Sequence, residues 1–115
     1  MATRSDLYID QGSDFSAIVS LRNQDGTPIN LTNFTVKSQF RKSYQSSVAT
    51  DFIVSIVDAS LGKIRIKLLA DVSSAVRAGR YLYDVEITTI NVLDETDRRR
   101  VLEGLVIISP EITKI

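Results

Sequence analysis

The 115-residue sequence contains no cysteine, no histidine and no tryptophan, and only two prolines and five glycines. Without cysteine, disulfides and thiolate metal sites are excluded. Without histidine, the side chain best suited to acid–base work near neutrality is missing, together with the commonest transition-metal ligand. A Ser-His-Asp triad cannot form, and no glycine-rich phosphate loop is present. An excess of one charge is lacking as well. Fourteen basic and fourteen acidic residues cancel, so no whole-chain field draws the protein to nucleic acid or anionic lipid. A near-zero net charge favours self-association instead. No apolar run approaches the roughly 20 residues that span a bilayer, and Met1–Asp6 has no apolar core of the kind a signal peptide uses. The expectation is synthesis in the cytoplasm with no encoded export route, and no cofactor or metal.

What remains is the composition of an ordinary globular domain, 43% hydrophobic and 24% charged. A chain of this size buries about two-thirds of its unfolded surface, enough for one core without staples. Residues 1–115 read as a single domain, with 1–6 as an N-terminal extension and 110–115 as a tail. The organising stretch is Gly79-Arg80-Tyr81-Leu82-Tyr83-Asp84-Val85-Glu86-Ile87. Tyr81, Tyr83, Val85 and Ile87 alternate with Arg80, Leu82, Asp84 and Glu86, which predicts a long strand with one buried side. Residues 70–78 before it are small and read as one helical turn crossing between sheets. A Gly-x-Tyr at the entry of a late strand resembles the tyrosine corner of immunoglobulin-like sandwiches, whose tyrosine hydroxyl bonds backbone just upstream. Gly79, Tyr81 and Tyr83 are therefore structural candidates. The plainer alternative is two tyrosines packed in an ordinary strand.

Along the chain, Asp6–Asp10 reads as an edge strand and Asp14–Arg22 as a strand whose alternation only Ile18 breaks. Asn23–Pro28 carries Asp-Gly and proline, strong turn chemistry, and Ile29 and Leu31 in the following connection are expected to tuck under the sheets. Strands follow at Phe34–Lys42, Asp51–Asp58 and Lys63–Leu69, the last with Lys63, Arg65 and Lys67 wet against Ile64, Ile66 and Leu68 dry. Asn91–Asp97 reads as an acidic hairpin loop. Val101–Ile108 is almost continuously apolar, which suits a strand covered on both faces or one whose outer face meets a partner. About seven strands, turn signals and no long helix argue an all-β, immunoglobulin-like antiparallel β-sandwich with one short helical turn before the Gly79–Tyr81 strand. A small closed barrel is the competitor. The core expected from the shared phase comprises Phe15, Val19, Leu21, Phe34, Val36, Phe40, Ile64, Ile66, Leu68, Tyr81, Tyr83 and Val85.

Few constellations suggest chemistry. Asp84 and Glu86 share one outer face, which suits hydrolysis or calcium in principle and a solvated face or cross-strand ion pairing in practice. Asp94-Glu95-Thr96-Asp97 is a better calcium candidate or simply a charged hairpin tip. Arg98-Arg99-Arg100, without stacking aromatics and with acids directly before it, reads as pairing with that loop or with a neighbouring subunit rather than with phosphate. No catalytic, cofactor-binding or metal residues are assigned.

Taken whole, the order of signals is similar to a known group. Leu7-Tyr8-Ile9-Asp10-Gln11-Gly12-Ser13-Asp14-Phe15, Asp25-Gly26-Thr27-Pro28-Ile29-Asn30-Leu31-Thr32, Gly62-Lys63-Ile64, Ala78–Val85 and Leu102–Thr113 occur in that order. This resembles small structural proteins of tailed bacteriophages and the immunoglobulin-like N-terminal domain of phage baseplate upper proteins. The resemblance implies a virion structural protein without saying where in the particle; the viral tail, baseplate or neck is the expected place. The protein would act by protein–protein assembly with other virion proteins as a symmetric homo-oligomer, without nucleic acid or membrane, and reside in the virion. The alternatives are a capsid decoration protein and a carbohydrate-binding host-adhesion module, the latter weakened by the absent tryptophan. Candidate interface residues are Asp6, Leu7, Tyr8, Arg98, Arg99, Arg100, Val106 and Ile108, with Met1–Asp6 expected to be mobile and available to a neighbour.

Overall fold

The computed structural model describes residues 3–90 and 96–113. Its strands are β1 (Thr3–Arg4), β2 (Leu7–Asp10), β3 (Phe15–Ser20), β4 (Thr35–Arg41), β5 (Thr50–Asp51), β6 (Ile53–Asp58), β7 (Lys63–Leu68), β8 (Gly79–Ile90) and β9 (Thr96–Ser109). One helix, α1 (Ala70–Ala75), sits between β7 and β8. Two separate sheets face each other. The larger runs β1-β9-β8-β4-β5, with β2 continuing on the β9 edge after β1, and the smaller runs β3-β7-β6. The chain is therefore a sandwich and not a closed barrel, in the arrangement of immunoglobulin-like domains.

The two-residue alternation of the sequence is what sorts side chains to the core. On β7, Ile64, Ile66 and Leu68 are buried while Lys63, Arg65 and Lys67 are exposed. Across the interior, Phe40 of β4 and Tyr83, Val85 and Ile87 of β8 close the layer, and Ile29 and Leu31 are tucked beneath it. Phe15, Val19, Phe34, Val36 and Tyr81 pack against this centre while remaining partly accessible. Ile18 departs from the pattern and faces solvent. The helical turn carries the chain from the small sheet to the large one. Asp14 Oδ1 accepts from Ala70 N–H at its start. The buried Ser73 hydroxyl accepts from Gly12 N–H and donates to the Ser13 carbonyl, fastening the turn before β3. Gln11 extends this clasp, donating to the Val76 carbonyl and accepting from Glu111 N–H.

Three expectations are corrected. The single strand expected over Asp51–Asp58 is two: β5 pairs with β4 in the large sheet and β6 with β7 in the small one. The chain changes sheets at Phe52, whose N–H donates to the Ser38 carbonyl and whose ring is buried 5.1 Å from Phe40. Burying that ring between the sheets is what the change of sheet accomplishes, since a straight strand would keep it in one layer.

The segment expected to be mobile, Met1–Asp6, is tied into the large sheet over its described residues. Thr3 and Arg4 pair with Leu102 and Glu103, and Leu7–Asp10 continue in the same register along Val106–Ser109. These pairings are parallel, unlike the antiparallel ladders elsewhere. Between the two segments the backbone turns inward at Ser5–Asp6, and the Asp6 carboxylate takes over as acceptor for Leu105 N–H at 2.9 Å.

Leu7, Val106 and Ile108, expected at an interface, lie in the chain's own core. The apolar excess of Val101–Ile108 is absorbed in two ways. Val106 and Ile108 face the small sheet, and a β-bulge against Val85–Glu86 turns the consecutive Val101 and Leu102 both inward.

Candidate functional site: the outer face of the large sheet

The tyrosine corner is present. Gly79 opens β8 at φ +147°, a backbone value that L side chains rarely adopt. Two residues later the Tyr81 hydroxyl donates 2.6 Å to the Arg77 carbonyl, closing the loop from α1. Its ring stands edge-on to Phe40 at 5.3 Å, and the Lys42 ammonium lies 5.0 Å from its centroid on the open side. Tyr83 is buried, and its hydroxyl donates 2.6 Å to the Ser5 carbonyl. Burial, reinforced by the nearby Asp6 carboxylate, pushes this phenol up to about 12. Both tyrosine hydroxyls are thus bonded to main-chain carbonyls of the fold.

Opposite the core, the large sheet carries charge on its outer face. Arg4, Gln39, Arg41, Tyr44, Asp84, Glu86, Arg100 and Glu103 line an open cleft of about 230 Å³ there. Arg100 holds its centre. Its Nε donates to Asp84 at 3.0 Å and its Nη1 to Glu103 at 3.2 Å. Cross-strand pairing on this face was expected of Asp84, and its partner is Arg100; the arginine run was expected to pair with the acidic loop or with a neighbouring subunit. That loop falls mostly on residues 91–95, outside the described residues, as do Asp94 and Glu95 of the calcium candidate, whose Thr96 and Asp97 open β9. The bulge explains the pairing, because it shifts Arg100 opposite Glu86 and beside Asp84 on the outer face. Gln39 is bound to Asp51, and Arg41 to the Ser46 carbonyl.

Two of the cleft's three acids, Asp84 and Glu103, pair directly with Arg100. Among the described residues, no group of three potential ligands could hold a metal ion. Its chemistry is that of a polar contact surface, with the exposed ring of Tyr44 at one side.

The remaining candidate residues scatter. Asp6 is committed to Leu105 N–H and lies 3.7 Å from the Arg4 guanidinium. Tyr8 is 68% exposed, on the outer face opposite Ile107. Arg98, Arg99 and Arg100 are all exposed at the start of β9. Arg99 lies with Arg22 and Asp25 around a second depression between β9 and the turn before Pro28. So Tyr8 and the arginines are open to a partner, at opposite ends of β9, and they form no single patch. Sequence reasoning missed Ser5, Gly104 and the Gln11–Ser73 clasp. An isolated glycine inside an apolar strand was the available signal for Gly104, since it commonly marks close approach of another backbone.

No family model and no curated protein matches this chain. Among solved structures, an internalin-like protein of Listeria monocytogenes aligns with 94% of this chain and 28% of its own length, at 12% identity and a TM-score of 0.47. A family 123 glycoside hydrolase from Clostridium perfringens aligns with 96% of this chain and 23% of its own, at 10% identity and a TM-score of 0.40. The chain thus spans about a quarter of each of those proteins, and neither likeness bears on its activity or partners.

Proposed function

We propose that this chain is a structural component of a tailed-phage virion, in the tail, baseplate or neck, working through protein–protein assembly and without catalysis. Its partners would be other virion proteins and further copies of itself. The observation that supports the reading is where the apolar surface lies. Among the large exposed apolar side chains, Tyr8, Ile18, Ile53, Ile56, Val57 and Leu61 lie on sheet edges or turns, while Tyr44, Val48 and Ile112 lie outside the strands. The outer cleft, by contrast, is largely occupied by its own ion pairs and hydrogen bonds. Surfaces of that kind suit docking on neighbours better than holding a small substrate. Mass spectrometry of purified particles with copy-number counting tests it: a fixed, multiple copy number is expected, and absence from particles overturns the reading.

One observation favours a second reading, host adhesion through carbohydrate. Tyr44 is 77% exposed beside Gln39, Asp84 and Glu86, an aromatic face next to hydrogen-bonding groups. Glycan-array binding abolished by Tyr44→Ala would carry that alternative.

A further inference from the structure

We propose that β6 of one chain pairs antiparallel with β6 of a second copy across a two-fold axis through Ser55. The inference deepens the assembly reading by naming the surface through which copies meet.

The backbone geometry comes first. Successive residues of a strand present their N–H and C=O groups to opposite edges. Leu21 N–H donates to the Gly62 carbonyl, so residues 64, 66 and 68 of β7 address β3, and residues 63, 65 and 67 address β6. Their partners Ile53 and Ser55 therefore bond inward to β7. Phe52 N–H, turned to Ser38, has the opposite sense. Val54 and Ile56 share that sense, so their backbone groups point off the free edge of the small sheet.

The sequence of the edge fits a copy of itself. Ile53-Val54-Ser55-Ile56-Val57 reads as apolar, apolar, serine, apolar, apolar in either direction. Antiparallel pairing about Ser55 sets Val54 against Ile56 twice, making four ladder hydrogen bonds from the outward groups. Ile53 then meets Val57, and no like charges oppose, because the one charged residue of β6, Asp58, comes opposite Phe52. The apolar side chains that this covers are now open: Ile53 is 52% exposed, Val57 47% and Ile56 39%. β6 also carries no lysine or proline, the usual protections of an edge. The bulge between Ile56 and Asp58 stops the ladder after those four bonds, so the contact is short and suits repeated assembly more than an obligate dimer. The other edge of this sheet, β3, exposes a single large apolar side chain, Ile18, and covers less on pairing.

The absence of cysteine gives a direct test. At the axis, the two Ser55 residues form a non-hydrogen-bonded pair with Cα atoms about 4.5 Å apart, within disulfide reach. Ser55→Cys is expected to give a covalent dimer on mild oxidation, and Ile18→Cys to stay monomeric. Sedimentation velocity of the unmodified chain should show concentration-dependent dimer. Ile56→Pro, which removes two of the four bonds, should raise its dissociation constant about tenfold or more, with circular dichroism confirming the fold. A chain monomeric at every concentration overturns the proposal, as does cross-linking at Ile18 equal to or exceeding that at Ser55. Particle composition separates the two readings. Monomeric protein that is still incorporated removes the β6 contact and keeps assembly, whereas a Ser55-linked dimer absent from particles does the reverse.

Discussion

The hydroxyl of Tyr83 donates a 2.6 Å hydrogen bond to the carbonyl of Ser5, 78 residues earlier in the chain. The bond joins the innermost aromatic of β8 to the point where the N-terminal strand kinks. It passes beside Gly104, where an added Cβ would collide with the same Ser5 carbonyl. A phenol, a carbonyl and a missing side chain thus fix how the first strand lies on the last.

Removing the hydroxyl isolates this bond. Tyr83→Phe keeps the ring and should destabilise by about 0.5–1.5 kcal/mol. It should also remove a pH dependence. The folded phenol lies near 12 against an ordinary 10, so the folded state holds this proton more tightly than the unfolded state. The stability it contributes is intact below pH 10 and declines as pH rises from 10 toward 12, by up to about 2 kcal/mol. Urea midpoints of wild type and Tyr83→Phe, compared at pH 8 and pH 11.5, should show the wild-type advantage at pH 8 lost or inverted at the higher value. A gap that stays constant would show that the hydroxyl does not titrate in this way.

Gly104→Ala should cost about 1–3 kcal/mol or more, because the new methyl must displace backbone and not a yielding side chain. Removing residues 1–6 should lower the melting temperature as well, since it deletes the Ser5 acceptor, the Asp6 contact to Leu105 and the β1 pairing. A truncated protein melting like the full chain would mean that these contacts contribute nothing net.

The tyrosine corner predicts a separate loss. Tyr81→Phe should destabilise by about 0.5–1.5 kcal/mol, additively with Tyr83→Phe, because the two hydroxyls bond unrelated carbonyls. Chemical denaturation of the two single variants and the double variant measures this.

Arg100→Ala, in contrast, should cost less than about 1 kcal/mol despite breaking two ion pairs. Both pairs lie on a solvated face, where screening and side-chain entropy offset most of the attraction. The deficit should shrink further at high salt. A loss of several kcal/mol would instead make Arg100 an organiser of the sheet.

The fold was legible because its signals are local. Strict alternation on β7 and β8, Asp-Gly before Pro28 and the small residues of α1 each state a conformation within a few positions. The tyrosine corner was legible too, since its bond spans only from Tyr81 to Arg77. What escaped were relations between distant segments. Nothing near Ser5 in sequence announces Tyr83 or Gly104, so the first six residues read as a loose extension. Val106 and Ile108 looked surplus because the adjacent apolar Val101 and Leu102 blurred the inward phase of the strand, and the bulge that turns both inward has no signature in periodicity. Phe52 changes sheets within an unbroken β-prone run, and only its burial reveals the break. At the candidate site, the alternation placed Asp84 and Glu86 on the outer face. Their meeting with Arg100 depends on that same bulge, hence on β8 and β9 together.

The parallel seating of the first strand beside the last gives the molecule a mechanical character. Thr3 and Ser109 lie at opposite ends of one strand pair, running the same way in a single register from Thr3–Leu102 to Asp10–Ser109. Tension applied through the two ends of the chain would slide these strands along each other. Every bond in the seam would then share the load at once, instead of opening in sequence like a zipper. A chain strung between neighbours through its ends would resist traction by shear, along its stiffest direction.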